Sequence, residues 1–183
     1  MLKVFLVEDE RVIREGFRDR IPWEQYGFRL VGQANDGEMA LPLIRKLKPD
    51  VLITDIKMPF MDGLSMSEIV KEEFPKIKII IISGYDDFEY AKQAIKLNVT
   101  EYILKPVNVE ELTAILKRIK ANLDEEIAQK RNVSLLRENY RKSLPILREQ
   151  FLNDLINRRV SGDLLAGRLS EYDIPIAGAQ KWV

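Results

Sequence analysis

Up to about Ala121 the chain alternates between short, nearly continuous apolar runs and longer stretches whose apolar residues recur every three or four positions. The runs lie at Val4 to Val7, Leu30 to Gln33, Val51 to Thr54, Ile77 to Ile82 and Glu101 to Leu104. They are rich in β-branched residues and apolar at successive positions, which predicts strands buried on both faces. The stretches between them are Arg11 to Arg20, Gly37 to Leu47, Gly63 to Phe74, Phe88 to Leu97 and Val109 to about Ala121. Their spacing predicts amphipathic helices. Strands alternating with helices predict right-handed βαβ units, hence an α/β domain with a parallel sheet covered by helices on both faces.

Beyond Ala121 the pattern changes. The stretch LKRIKANLDEEIAQKRNVSLLRENYRKSL lacks Gly and Pro and carries apolar residues at Leu116, Ile119, Leu123 and Ile127, then at Leu136, Tyr140 and Leu144. This predicts a helix running on out of the domain. The apolar stripe thins between Ile127 and Val133, so a solvated arm and a dimerising coiled coil both fit. Pro145 is expected to kink or restart the helix, with Ser143 as its cap. A second amphipathic segment, Leu147 to Val160, and a helix capped by Ser161 and reaching about Tyr172 should follow. The expected division is 1–122 for the α/β domain, 123–172 for a helical linker, and 173–183 for the first strand residues of a following domain that is cut short.

Composition narrows the chemistry. The 183 residues hold 29 Lys and Arg against 29 Asp and Glu, so no overall positive field gathers nucleic acid or an anionic membrane. There is no cysteine and no histidine, which removes thiol nucleophiles, thiolate metal sites and imidazole bases. Carboxylates, hydroxyls and lysines remain. The opening MLKVFLVEDE meets acids too early for a secretory signal, and no apolar run has the length of a membrane span, so a cytoplasmic protein without a membrane partner is expected.

In an open parallel sheet the functional crevice lies beyond the carboxyl ends of the strands. The residues found there are Glu8 and Asp9 after the first strand, Asp55 after the third, Ser83 after the fourth, and Lys105 with Pro106 after the fifth. Three carboxylates at one edge call for a cation among them, and magnesium, which prefers oxygen ligands, suits the set. The lysine and the serine hydroxyl suit phosphoryl oxygens, and a carboxylate can itself accept a phosphoryl group. Taken singly each residue has a plainer reading. Asp55 could cap a helix, Ser83 and Asp87 could form a turn around Gly84, Lys105 could be a solvated charge, and Tyr102 could simply pack. Gly63, in the Met61 to Gly63 turn, reads as serving the backbone. Their convergence on one edge favours a phosphoryl site.

The segments VEDE, ITDIKMPFMDG, IISGYDD and YILKPV together resemble the receiver domain of two-component response regulators, over residues 1 to about 122. That resemblance implies a flavodoxin-like, doubly wound five-stranded sheet in the order 2-1-3-4-5. It implies Asp55 as phosphoacceptor, and magnesium held by Asp9, Glu8, Asp55 and the backbone carbonyl of Lys57. Ser83 would be the hydroxyl switch, Tyr102 the rotating aromatic and Lys105 the phosphate-pairing lysine, followed by a cis bond to Pro106. The family usually has two aspartates where this chain has Glu8 and Asp9, which bears on metal affinity. The partner implied is a sensor histidine kinase, with homodimerisation on activation. The wording SGYDDFEYAKQAIK further resembles regulators with an AraC-type helix-turn-helix output domain. No such pair or basic patch follows residue 121, so DNA binding would need a domain outside this chain.

Two relatives of this layout fit less well. A flavin protein needs a phosphate loop where VEDERV is acidic, and an aspartate-nucleophile phosphatase needs an acid where Lys57 stands. A receiver-shaped interaction module that is never phosphorylated remains an alternative. Phosphorylation, adding nearly two negative charges at Asp55, is expected to draw in Ser83 and Lys105, turn Tyr102, and alter a surface from Asp86 to Leu104.

Overall fold

The computed structural model describes residues 1–84, 88–157, 169, 171 and 172. The elements follow in the order β1 (Leu2–Val7), α1 (Arg11–Arg20), a short 3₁₀ helix (Trp23–Tyr26), β2 (Phe28–Ala34), α2 (Gly37–Leu47), β3 (Val51–Asp55), α3 (Gly63–Glu73), β4 (Lys78–Ser83), α4 (Phe88–Lys96), β5 (Glu101–Leu104) and α5 (Val109–Ile156). The five strands pair in parallel in the order β2-β1-β3-β4-β5. This is the doubly wound, flavodoxin-like arrangement expected from the sequence.

Period-two alternation divides the core. In β1, Val4 and Leu6 join a cluster with Phe17 of α1 and Leu112, Leu116 and Ile119 of α5. Phe5 and Val7 join the opposite cluster, with Ile44 of α2 and Met66 and Val70 of α3. Both sides of the strand are thus covered, and each buried side chain of this size contributes about 1.5–3 kcal/mol. The chain leaves β1 toward β2 on one side and returns to β3 on the other. The crevice between those diverging connections opens above the ends of β1 and β3.

Two local features depart from the sequence reading. The 3₁₀ turn was not expected, although Pro22 and Gly27 bracket it. Gly27 closes it at φ 79°, a left-handed value suited to glycine. The turn buries Trp23 against the α1–α5 layer, and the Trp23 indole N–H donates to the Arg18 carbonyl at 3.3 Å. The helix α2 keeps its expected range, Gly37–Leu47, with Pro42 inside it. Finally, α5 runs unbroken through Pro145, so the helix does not restart there. Ser143 does not cap it; its hydroxyl donates to the Asn139 carbonyl at 3.0 Å, the back-bonding a mid-helix serine adopts.

Two compact units are distinguished, Met1–Asp124 and Glu125–Val183. In the second, Phe151 is buried and meets the Tyr172 ring edge-on at 5.5 Å between centroids. Tyr140 there donates its hydroxyl proton to the Glu171 carbonyl at 2.8 Å. The expected Ser161 cap, the tail from Asp173 to Val183, and Asp86 and Asp87 lie outside the described residues. Among the described residues no helix is long and apolar enough to cross a membrane.

Candidate functional site

The sheet brings Glu8, Asp9, Asp55, Ser83 and Lys105 to its carboxyl edge because each stands at or just past the end of a strand. β1 and β3 are neighbours in register, so the acids that follow Val7 and Thr54 meet. One carboxylate oxygen from each of Glu8, Asp9 and Asp55 lies within 4.8 Å of the others. Glu8 is 1% exposed and Asp55 6%, while Asp9 is more open to solvent.

Lys105 joins them. Its Nζ lies 3.1 Å from Glu8 Oε1 and 3.0 Å from Asp55 Oδ2. The longer arm of Glu8, compared with aspartate, reaches this lysine. Lys105 N–H donates to the Ser83 carbonyl at 2.7 Å, which holds the lysine beside the buried serine. The Lys105–Pro106 peptide bond is cis. Burial opposes the ammonium charge of Lys105, but the two acids outweigh it and hold its pKa above the ordinary lysine value.

Glu8 shows the strain of gathering these charges. Burial pushes its pKa up to about 7, with Asp55 and Asp9 adding to the rise and Lys105 opposing it. A raised acid binds more protons folded than unfolded. The metal-free protein should therefore lose stability as pH rises from 4.5 to about 7, by roughly 2–3 kcal/mol for a shift of this size. Urea unfolding at pH 5 and pH 7.5 in the presence of chelator measures this; a rise in stability over that window would contradict it.

Neighbouring backbone aims the acids. Asp55 Oδ1 accepts from the Ile56 N–H at 2.7 Å, and its carbonyl accepts from the Thr54 hydroxyl at 2.8 Å. The helix-cap role open to Asp55 in the sequence is taken by Asp62, whose Oδ1 accepts from Leu64 and Ser65 N–H at the start of α3. Gly63 packs directly on the end of β3, donating its N–H to the Ile56 carbonyl at 2.9 Å. Arg14, which the sequence reading passed over, donates through Nη1 to the carbonyls of both Glu8 and Asp9. Its position one turn into α1 was the available signal.

Two further candidates are Tyr102 and Lys57. Tyr102 is half-buried against the cluster that includes Ile79 and Ile81. Lys57 is exposed, with its Nζ 5.7 Å above the Tyr90 ring. An all-oxygen set of three converging carboxylates, one of them held near neutrality by its surroundings, fits a hard divalent cation.

Residues 4–117 match the family model described as the response regulator receiver domain. The uncharacterized transcriptional regulatory protein YesN of Bacillus subtilis is 36% identical over 156 residues, covering 85% of this chain and 42% of that protein. This chain thus spans less than half of that relative. The solved receiver domain of AraT, a response regulator from Geobacillus stearothermophilus, superposes with a TM-score of 0.65 at 41% identity, covering 68% of this chain and 97% of that one. A two-component transcriptional regulator AraC from Clostridium phytofermentans gives 0.62 at 32% identity, over 70% of this chain and 99% of that one.

Proposed function

Because the chain belongs to the family of response regulator receiver domains, we propose that Asp55 is the phosphoacceptor of a signalling switch, loaded by a sensor histidine kinase. The observation that carries this reading is the position of Lys105 Nζ, about equally close to Asp55 and Glu8 at the mouth of a nearly buried acid cluster. An Asp55 oxygen attacks phosphorus, the bond from phosphorus to the donor's leaving atom breaks, and the leaving group takes up a proton. The three incoming phosphoryl oxygens need positive charge and donors close by. Lys105 exchanges its ion pair with Asp55 for one with the phosphoryl group, and the Ser83 hydroxyl donates to another oxygen.

The residues that would hold magnesium are Glu8, Asp9 and Asp55 with the Lys57 carbonyl. Bound there, it supplies neutralising charge for the acids and the phosphoryl oxygens. Arg14, bonded to the carbonyls of Glu8 and Asp9, ties the turn that carries two of these acids to α1. Once Lys105 and Ser83 turn to the phosphoryl group, the end of β4 shifts and Tyr102 repacks, altering the α4–β5 surface offered to a partner or a second copy.

Residues 1–122 form the receiver in this reading, 123–172 a linker, and 173–183 the start of a following domain. Output is transcriptional, through an AraC-type domain beyond this chain; the similarity to proteins described as transcriptional regulators supports it. Incubation with acetyl phosphate and magnesium should add one phosphoryl group to the native chain by intact mass, and none to Asp55→Asn. A native chain that stays unmodified favours the rival reading, a receiver-shaped interaction module.

A further inference from the structure

Phe60 is 85% exposed and sits at φ 63°, a left-handed value that is unfavourable for any residue with a Cβ. The cause is local. The Met61 N–H donates to the Pro59 carbonyl at 2.8 Å, closing a three-residue γ-turn around Phe60, and the positive-φ form of that turn is the rare, strained one. Both flanks are tied down. The Gly37 N–H donates to the Met61 carbonyl at 3.3 Å, and the Gly63 N–H donates to Ile56. The Phe60 ring gains no burial in return. Glycine would make the same turn without strain.

A lone exposed apolar residue is ordinary, but an aromatic one held out by a strained turn marks a site where the side chain itself is used. The turn joins the end of β3 to α3, at the same edge as the acid cluster. Met39, two residues past the Gly37 contact, and Val12, at the start of α1, are also exposed. Three apolar side chains therefore stand on the elements that surround the acidic mouth. Because β3 is buried along its whole length, Asp55 is approached from the carboxyl edge of the sheet, where the β3–α3 turn lies.

We propose that Phe60, supported by Met39, is the anchor that seats the protein phosphodonor, gripping apolar surface beside its phosphohistidine. The inference rests on the reading of Asp55 as phosphoacceptor. A small donor such as acetyl phosphate needs no rim, whereas a protein donor must be held in register while its phosphate meets a carboxylate that is almost covered. Central aromatic anchors dominate such contacts. A second copy of this chain is the competing occupant.

The test uses Phe60→Gly, which keeps the turn and relieves it, and Phe60→Tyr, which keeps the ring. A panel of purified, ³²P-autophosphorylated sensor histidine kinases is screened, and the fastest donor to the native chain is used. Phe60→Gly should melt about 2–4 °C higher and label from acetyl phosphate within about twofold of the native rate, yet lose about tenfold or more in kcat/KM from the kinase, mostly through KM. Phe60→Tyr should transfer at close to the native rate. Native transfer to Phe60→Gly overturns the proposal, as does an equal loss with both donors, a loss confined to dimerisation, or a native chain that no kinase labels. If acetyl phosphate fails to label the native chain, the reading of Asp55 fails first and takes this one with it.

Discussion

Gly63→Ala is expected to melt at least about 10 °C below the native chain, a loss of about 3 kcal/mol or more, and to accept no phosphoryl group. A Cβ on Gly63 would fall 1.9 Å from the Asp55 carbonyl oxygen and 2.9 Å from Thr54 Oγ1. Neither neighbour can swing aside. The first is backbone at the end of a central strand, and the second is held by its hydrogen bond to that same carbonyl. Relief requires the tip of β3 to separate from the start of α3, breaking the Gly63 to Ile56 hydrogen bond and carrying Asp55 away from Lys105. Thermal unfolding read alongside acetyl phosphate labelling measures both effects. A variant that melts within a few degrees of the native chain would show that the loop yields freely.

Lys105→Met should be nearly as severe, with a dependence on pH that identifies its cause. It removes the cation lying 3.0–3.1 Å from two buried carboxylates. Leaving such groups unpaired costs about 3–5 kcal/mol. The loss has a ceiling, because Glu8 already has a pKa of about 7 and Lys105 is the influence that opposes its rise. Without the lysine Glu8 takes up a proton at neutral pH and sheds most of its penalty. The destabilisation relative to the native chain should therefore be large at pH 8 and shrink by pH 5. Labelling from acetyl phosphate should slow by about a hundredfold or more, the scale of losing one preorganised charge. Equal destabilisation at both pH values would place the cost in lost packing of the lysine stem.

The order and type of the α/β elements were legible because the central strands β1, β3 and β4 are buried on both faces, so runs such as Val51 to Ile53 and Ile79 to Ile82 carry no polar interruption. The edge strands β2 and β5 are only partly buried, not covered on both faces as expected. The gathering of Glu8, Asp9, Asp55, Ser83 and Lys105 at one edge followed from topology alone, since a parallel sheet puts all its strand ends together. Distances were not legible. That Lys105 bridges Glu8 and Asp55, and that Glu8 is held near neutrality, depend on burial that no pattern of residues displays. Arg14 was missed because a lysine or arginine in a first helical turn ordinarily reads as a solvated charge, and its carbonyl partners belong to the preceding turn. The helix does not restart at Pro145 because a proline in a helix removes one hydrogen bond but need not end the helix when the residues on either side remain good helix formers. Phe60 could not be read as strained, because the tight turn around it follows from how Gly37 and Gly63 lock the loop.

The most direct test is to locate the phosphoryl group itself. The native chain, loaded with acetyl phosphate and magnesium, is reduced with borohydride, which converts an aspartyl phosphate to homoserine, and then mapped by peptide sequencing in a mass spectrometer. Homoserine at position 55 and at no other acid is the predicted result. Homoserine at position 9, or an intact aspartate at 55 in a chain that has gained a phosphoryl group, would contradict it.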